Sequence, residues 1–396
     1  MEQKLMKKGW KIELLKNSCK VFDDGNWIES KDQSPSGIRL VQTGNIGFGF
    51  FKDKEDKSRF ISEETFVRLK CTEILPGDLL VSRLPDPVGK SCIIPDLKIK
   101  MITGVDCTII RTKDFLKPEF LRYFQMSNSY LKDVDARVTG TTRSRISRKN
   151  LGLVEIPIPP LEEQKTIVAK LDQAFAAIDQ AKANIEKNIA NAKELFQSKL
   201  NQIFSEKGEG WVEKKIKDVA LVTAGQSPEG KYYNDKGIGL PFYQGKKEFT
   251  EKLIGEPKVW TEKITKEALE GDVLMSVRAP VGPINFATQK CCIGRGLASI
   301  RVKENFDKDF LFFYFKNIEN QLTGNSGAVF NSINKNQIEQ IQIFYPNIIE
   351  QRNIVSRLVN LQEQTNLLVT KYQQKLKNLD ELKKSILEKA FKGELV

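Results

Sequence analysis

The sequence predicts an α+β protein with a pseudo-twofold internal duplication: two globular domains of mixed helix and strand alternate with two long helices that pair as an antiparallel coiled coil. Three observations predict it. Several segments of the first half recur, in the same order, in the second. Two stretches, Leu161 to Lys207 and Asn347 to Lys392, contain neither glycine nor proline. Within each stretch apolar residues return about every 3.5 positions, the period of a coiled-coil seam.

The recurrence begins with "GWKIELLKNSCKV" from Gly9 and "GWVEKKIKDVALV" from Gly210. "PGDLLVSRLPDPVG" from Pro76 matches "EGDVLMSVRAPVG" from Glu270. "GVDCTIIRTKDFLKPEFLRYF" from Gly104 matches "GRGLASIRVKENFDKDFLFFYF" from Gly294, and "TGTTRSRISRKNL" from Thr139 stands where "TGNSGAVFNSINKNQI" stands from Thr323. Last come "PPLEEQKTIVAKL" from Pro159 and "YPNIIEQRNIVSRL" from Tyr345. Between these anchors "VQTGNIGFGFFKDKEDKSRF" shows no clear twin in "PFYQGKKEFTEKLIGEPKVW", so a shared frame is expected to carry two different variable surfaces.

"GDLLVSR" and "GDVLMSVR" read as short strands entered by a Gly-Asp turn. "CTIIRT" and "LASIRV" are β-rich, and "FLKPEFLRYFQMS" and "DKDFLFFYFKNI" read as short helices with aromatic inner faces. Pro159-Pro160 and Pro346 suit helix entrances, Gly208 and Gly393 the exits. The first seam runs through Val168, Leu171, Phe175, Ile178, Lys182, Ile185, Ile189, Ala192, Phe196, Lys199 and Ile203. The second runs through Val355, Leu358, Val369, Tyr372, Leu376, Leu379, Ile386 and Ala390. A helix of about 43 residues would extend roughly 65 Å, and an exposed one needs a partner for its apolar seam. Only an antiparallel pairing returns the C-terminus toward the beginning. The expected boundaries are residues 1–158 and 208–345 for the globular domains, and 159–207 and 346–396 for the helices.

The chain has 396 residues, 40% of them hydrophobic and 29% charged, enough for packed cores. No run of eighteen apolar residues exists, so no membrane span is expected. The basic start, "MEQKLMKKGW", lacks the apolar stretch of a secretion signal. The cysteines make no CxxC pair, which fits reduced thiols in a cytoplasmic protein rather than a zinc site or disulfide framework. A net charge of +12 favours a polyanionic partner, nucleic acid foremost. The absence of histidine removes the commonest general base and metal ligand together.

Catalytic motifs are missing too. "GNIGFGFF" (Gly44 to Phe51) is followed by polar, turn-like sequence rather than a helix, against a dinucleotide or methyl-donor loop. There is no GxxxxGK(S/T) loop and no Asn-Pro-Pro-aromatic tetrapeptide, and "PDLKIK" at Pro95 has poor spacing for a nuclease core. Glu162 and Glu163 open a helix, where the macrodipole favours them. The sequence argues for binding.

DNA recognition needs phosphate contacts for register and side chains at base edges for identity. The candidates in the first domain are Gln42, Thr43, Asn45, Lys52 and Arg83, then Thr141, Arg143, Arg145 and Arg148 of "GTTRSRISRKN". Those in the second are Lys231, Tyr232, Tyr233, Tyr243, Gln244, Lys246, Lys247 and Arg278, then Asn325 and Ser326. A charge cluster can also be only a solvated loop, and two rival readings stand beside DNA recognition: a coiled-coil scaffold whose heads bind proteins, and a nuclease or methyltransferase acting alone.

The duplicated proline-Glu-Gln-Ile-Val helix start, "PGDLLVSR" with "EGDVLMSVRAPVG", "TGTTRSRIS" and the terminal "LKKSILEKAFKGELV" resemble the specificity subunit of type I restriction-modification systems across essentially the whole chain. The second half departs in lacking the double proline and in carrying Ile349 where Glu162 stands. The resemblance implies two target-recognition domains, each reading one part of a split site in double-stranded DNA, with no catalysis, metal or cofactor in this chain. It implies two modification subunits, which bind S-adenosylmethionine and methylate adenine, docked on the helices. Two restriction subunits, with ATP and Mg, are optional further partners. Docking is expected on the outer helix faces near their starts, at Glu163, Gln164, Lys165, Glu350, Gln351 and Arg352.

Overall fold

The computed structural model describes residues 7–140, 144–322 and 332–396. The chain forms two compact units, Met1–Ile185 with Gln374–Val396, and Glu186–Gln373. Each contains one globular head and a segment of both long helices, which span Leu161–Ser205 and Ile348–Phe391.

In the first unit the head opens and closes on one ribbon. Strand Lys11–Leu14 pairs antiparallel with Glu155–Ile158, Lys11 opposite Ile158, immediately before Pro159. An antiparallel sheet follows in the order Cys19–Asp24, Cys107–Thr112, Leu79–Ser82, Ser91–Ile93. A mixed sheet has the order Arg59–Ile61, Ile38–Val41, Met101–Thr103, Glu73–Ile74, its two middle strands parallel. Side-chain alternation makes strand Leu79–Ser82 serve two cores. Leu79 and Val81 join Ile110 against helix Pro118–Gln125, whereas Leu80 joins Ile109, Val41 and Met101 in a separate cluster. All four strand residues are buried as a result.

The second unit repeats the plan. Strand Val212–Lys215 pairs with Gln342–Tyr345, an antiparallel sheet has the order Ala220–Ala224, Leu297–Val302, Val273–Ser276, Ile284–Phe286, and strand Leu240–Tyr243 runs parallel to Cys291–Ile293. Here the structure corrects the sequence reading. "VQTG" does have a twin in "YQGK": Gln42 and Gln244 each follow the first strand of the parallel pair. The helix over "DKDFLFFYFKNI" is also longer than expected, Lys308–Leu322.

The Gly-Asp turns have a second job. Asp78 is buried and accepts from Leu75 N at 2.9 Å, while Arg111 forks onto both its oxygens at 2.8 and 2.7 Å. Asp272 does the same with Leu269 N at 2.8 Å and Arg301 at 2.8 and 2.9 Å, and also accepts from Ser299 Oγ at 2.7 Å. One carboxylate thus caps the turn and ties two neighbouring strands together. Bidentate charge-assisted pairs of this kind are the strong ones.

The helix seams are apolar as expected. In the first unit Leu171, Phe175 and Ile178 are buried, and Leu387 and Ala390 complete the same core, with Phe391 packed against it. Lys182 pairs with Asp380, Asp179 with Lys383 at 2.9 Å, and Lys170 reaches the Leu395 carbonyl at 2.8 Å. Partner numbers rise as helix numbers fall, so the segments are antiparallel. The first seam shifts at both ends. Ile167 is buried beside half-buried Val168, and Leu200 and Phe204 are buried where Lys199 and Ile203 were expected. Two successive steps of four (Phe196, Leu200, Phe204) break the alternating three-and-four spacing of a heptad and turn this face into the aromatic core, against Phe310 and Tyr314.

Among the described residues no helix is long and apolar enough to cross a membrane, and no acidic or cysteine cluster could hold a metal. All six cysteines are free and buried, and burial pushes the thiols of Cys19, Cys92, Cys107 and Cys291 up to about 12.

Asp272→Ala would strand the Arg301 fork, a buried N–H and a hydroxyl, a loss of about 3 kcal/mol. Hydrogen exchange should show amides of Val273–Ser276 and Leu297–Val302 opening roughly 100-fold more often, with those of Leu79–Ser82 unchanged.

Candidate nucleic-acid interface

Both heads are fastened at the helix entrances. Gln164 is fully buried. Its Oε1 accepts from Lys117 N at 2.8 Å, and its Nε2 donates to the Phe115 and Pro159 carbonyls at 2.8 and 2.9 Å. Gln351 is equally buried, accepting from Asp307 N at 2.9 Å and donating to the Pro346 carbonyl at 2.9 Å. The expectation that these glutamines lie on a docking face is corrected: each fastens the start of a long helix to the loop that opens the head's aromatic helix. Their carboxamides are spent on buried backbone groups that would otherwise lack partners. Glu163 is also largely drawn inward, accepting from Lys7 Nζ at 2.6 Å and Trp10 Nε1 at 3.1 Å. Lys165 pairs with Glu162 at 2.7 Å on the surface, Glu350 is half-buried, and Arg352 is exposed.

In the first head the structure separates residues that hold the loops from residues that face solvent. Asn45 is a loop fastener: its Oδ1 accepts from Gln42 N at 3.0 Å and its Nδ2 donates to the Lys52 carbonyl at 3.0 Å. Gln42 and Thr43 are half-buried, and Lys52 is exposed with its ammonium 5.6 Å from the ring centre of exposed Phe50. This loop hugs Met126, since a Cβ on Gly49 (φ +85°) would fall 2.3 Å from the Met126 sulfur. Arg83 is corrected from a surface reader to an interior support. It is buried, pairs with Asp24 at 3.3 Å and donates to the Val105 carbonyl, and burial pulls its pKa down. Arg145 pairs with Asp106 at 3.1 Å, and Arg148 with Asp23 and, at 3.8 Å, Asp24, both arginines remaining partly exposed. Thr141 and Arg143 lie outside the described residues.

In the second head Tyr243 is corrected in the same way. It is buried, its hydroxyl donates to the Gly255 carbonyl at 3.0 Å, and burial pushes the phenol up to about 12. Tyr233 stacks on Phe242 at 4.8 Å and donates to the Pro228 carbonyl at 2.9 Å. Tyr232 has two ammonium groups near its ring centre, Lys231 at 5.2 Å and Lys263 at 5.0 Å. Gln244, Lys246, Lys247 and Arg278 are exposed. Asn325 and Ser326 lie outside the described residues. Sequence reasoning did not single out the exposed Trp27, Phe50, Lys263 and Arg295; of these only Arg295, between Gly294 and Gly296, carried a local signal.

Residues 7–191 and 208–378 match the model of the type I restriction modification DNA specificity domain, once per half. The chain belongs to this family. It is therefore a DNA-specificity protein and not an enzyme. It is 29% identical to a putative type I restriction enzyme MjaX specificity subunit of Methanocaldococcus jannaschii, over 98% of this chain and 93% of that one. It is 26% identical to the StySPI specificity subunit of Salmonella potsdam, over 90% and 82%. Among solved structures it resembles the HsdS subunit of Thermoanaerobacter tengcongensis at 27% identity with a TM-score of 0.67, covering 98% of both chains. A chain from a structure of type I R-M complex assembly and conformational transition gives 28% identity and a TM-score of 0.84, covering 98% and 99%. The buried glutamines belong to the frame that the two halves share.

Gln164→Ala should therefore cost about 2–4 kcal/mol, since it leaves one N–H and two carbonyls unpaired. Gln164→Glu should not rescue it, because a carboxylate offers no donor to Phe115 and Pro159. Thermal unfolding checks this; a purely docking role would leave the midpoint unmoved.

Proposed function

We propose that this chain is the DNA-reading subunit of a type I restriction-modification assembly. Residues 1–158 and 208–345 each read one half of a bipartite, asymmetric site in double-stranded DNA. Residues 159–207 and 346–396 serve as spacer and as the platform for modification subunits. The observation that carries this reading is one frame used twice with different exposed residues: the Asp-Arg forks, helix-anchoring glutamines and parallel strand pairs recur, while many of the side chains on the loops at their edges do not. A repeated frame with unlike readers fits a target in two unlike parts.

The candidate contacts that remain on the surface are Gln42, Thr43, Lys52, Arg145 and Arg148 in the first head, and Lys231, Tyr232, Gln244, Lys246, Lys247 and Arg278 in the second. Glutamine suits adenine, and arginine or lysine suits guanine or phosphate. For assembly, Lys165, Glu350 and Arg352 are the surface candidates at the helix starts. S-adenosylmethionine belongs to the two modification subunits, and ATP and Mg to restriction subunits where present. The setting proposed for this assembly is the cytoplasm.

Sequencing the methylated bases of cells carrying this chain with its modification subunit should yield one bipartite adenine-methylated motif. Exchange of residues 210–345 for those of another family member should alter one half of it only. In gel shifts, affinity should fall with salt at nearly one unit of log–log slope per neutralised phosphate. A protein-binding scaffold would give neither the motif nor the shift.

A further inference from the structure

The loop preceding the parallel strands crosses their carboxyl ends identically in both heads. Gly25 N bonds to the Cys107 carbonyl at 3.0 Å and Asn26 N to the Thr103 carbonyl at 3.0 Å. In the second head Gly225 N bonds to the Leu297 carbonyl at 2.9 Å and Gln226 N to the Ile293 carbonyl at 2.9 Å. Both glycines are required, since a Cβ would meet carbonyl oxygens at 2.3 Å and 2.1 Å respectively. The next residue of this loop is Trp27 in one head and Ser227 in the other. The turn after the second parallel strand carries Val105 in one and Arg295 in the other. The frame is shared, and the side chains set on it differ in chemistry.

Trp27 is 69% exposed, its Nε1 donating to the Glu29 carboxylate at 3.3 Å and its ring face left to solvent. Asn26 beside it is fastened through its side chain to the Leu69 carbonyl at 3.3 Å and to Thr72 N at 3.1 Å, and Ile28 packs against a core cluster. The indole borders a groove of about 210 Å³ shared with Gln42, Thr43, Val105 and Asp106. An indole held in water forgoes a large apolar burial. Arg295 is exposed on an equally fixed turn, its own N bonded to Ser227 Oγ at 3.2 Å and Gly296 N to the Gln244 carbonyl at 3.0 Å. Among the described residues no carboxylate pairs with its guanidinium.

We propose that these two duplicated positions read bases: Arg295 contacts guanine O6 and N7 in the half-site of the second head, and Trp27 makes the apolar contact to a thymine methyl in that of the first. Crevices beyond the carboxyl ends of parallel strands are recurrent ligand sites, and a preorganised arginine fork matches guanine bidentately. The inference rests on the DNA-reading function above and deepens it to single residues.

The test uses the full chain assembled with its modification subunit. Arg295→Ala should cut discrimination at one guanine by about 10- to 100-fold and relax the methylated motif there, in the half that exchange of residues 210–345 alters. Trp27→Ala should relax one thymine position in the other half. Arg295→Lys and Trp27→Phe, which preserve charge and bulk, guard against misfolding: lysine should keep affinity but still lose the fork's discrimination. Variants that keep every motif position, with affinities within about twofold of the parent, overturn the proposal while the bipartite motif itself stands. A parent complex that yields no bipartite motif overturns both.

Discussion

A buried carboxamide at the mouth of each long helix is the constraint on which the architecture depends. A helix of 45 residues with one apolar stripe has little stability alone. It becomes part of a fold when its first turns complete a head's core, as Ile167, Leu171 and Phe175 do in the first unit. Apolar packing does not by itself fix rotation or rise, since neighbouring turns offer similar faces. Gln164 does, because its three hydrogen bonds to backbone groups of Lys117, Phe115 and Pro159 are met in one register only. Gln351 repeats the lock on Asp307 and Pro346. Asp307 extends it, its carboxylate capping the following helix at Asp309 N and Phe310 N, both at 2.9 Å.

From these locks the rest follows in order. The helix sets where Pro118–Gln125 lies, through Tyr123, whose hydroxyl donates to Asp172 at 2.5 Å and whose ring meets Phe175 edge-on at 5.4 Å. That helix covers one face of the antiparallel sheet. The sheet's other face buries the mixed sheet, and the mixed sheet's parallel pair ends at the exposed loops. The tail joins the same core, Phe391 meeting Phe120 and Phe124 edge-on at 5.3 Å each. Each layer is positioned by the one beneath it, so a loop at the sheet edge inherits the rigidity of the helix.

The duplication and helices were legible in the sequence because they rest on periodicity and on glycine and proline, whose effects are local. The expected positions of the second seam, from Val355 to Ala390, all lie on the face that is buried or half-buried. The first seam slipped at Leu200 because a heptad describes two helices wrapping each other, whereas this end packs into a head. The site was less legible for a different reason. Asparagine, glutamine, arginine and tyrosine satisfy buried backbone groups with the same atoms that would read DNA. Asn45, Gln164, Arg83 and Tyr243 proved to be engaged internally. Nothing local in a sequence states which partner such a side chain finds.

The two copies within one chain supply a criterion that a single copy lacks. Polar residues with buried work recur at matched positions: Asp78 and Asp272 in their forks, Arg111 and Arg301 upon them, Gln164 and Gln351 at the helix mouths. Ser82 and Ser276 fit as well, bonding the Leu84 and Arg278 carbonyls at 3.3 and 3.2 Å. Losing one of these strands a desolvated group at a cost of about 1–3 kcal/mol, so both halves are held to the same residue. Where a side chain projects into solvent, as Trp27 and Arg295 do, no such cost applies, and half-buried Ser227 and Val105 stand opposite them in the other head. The surface arginines follow the second rule. The pair between Arg145 and Asp106 is partly exposed and worth at most about 1 kcal/mol, a bond that orients a guanidinium without holding it from a competing phosphate.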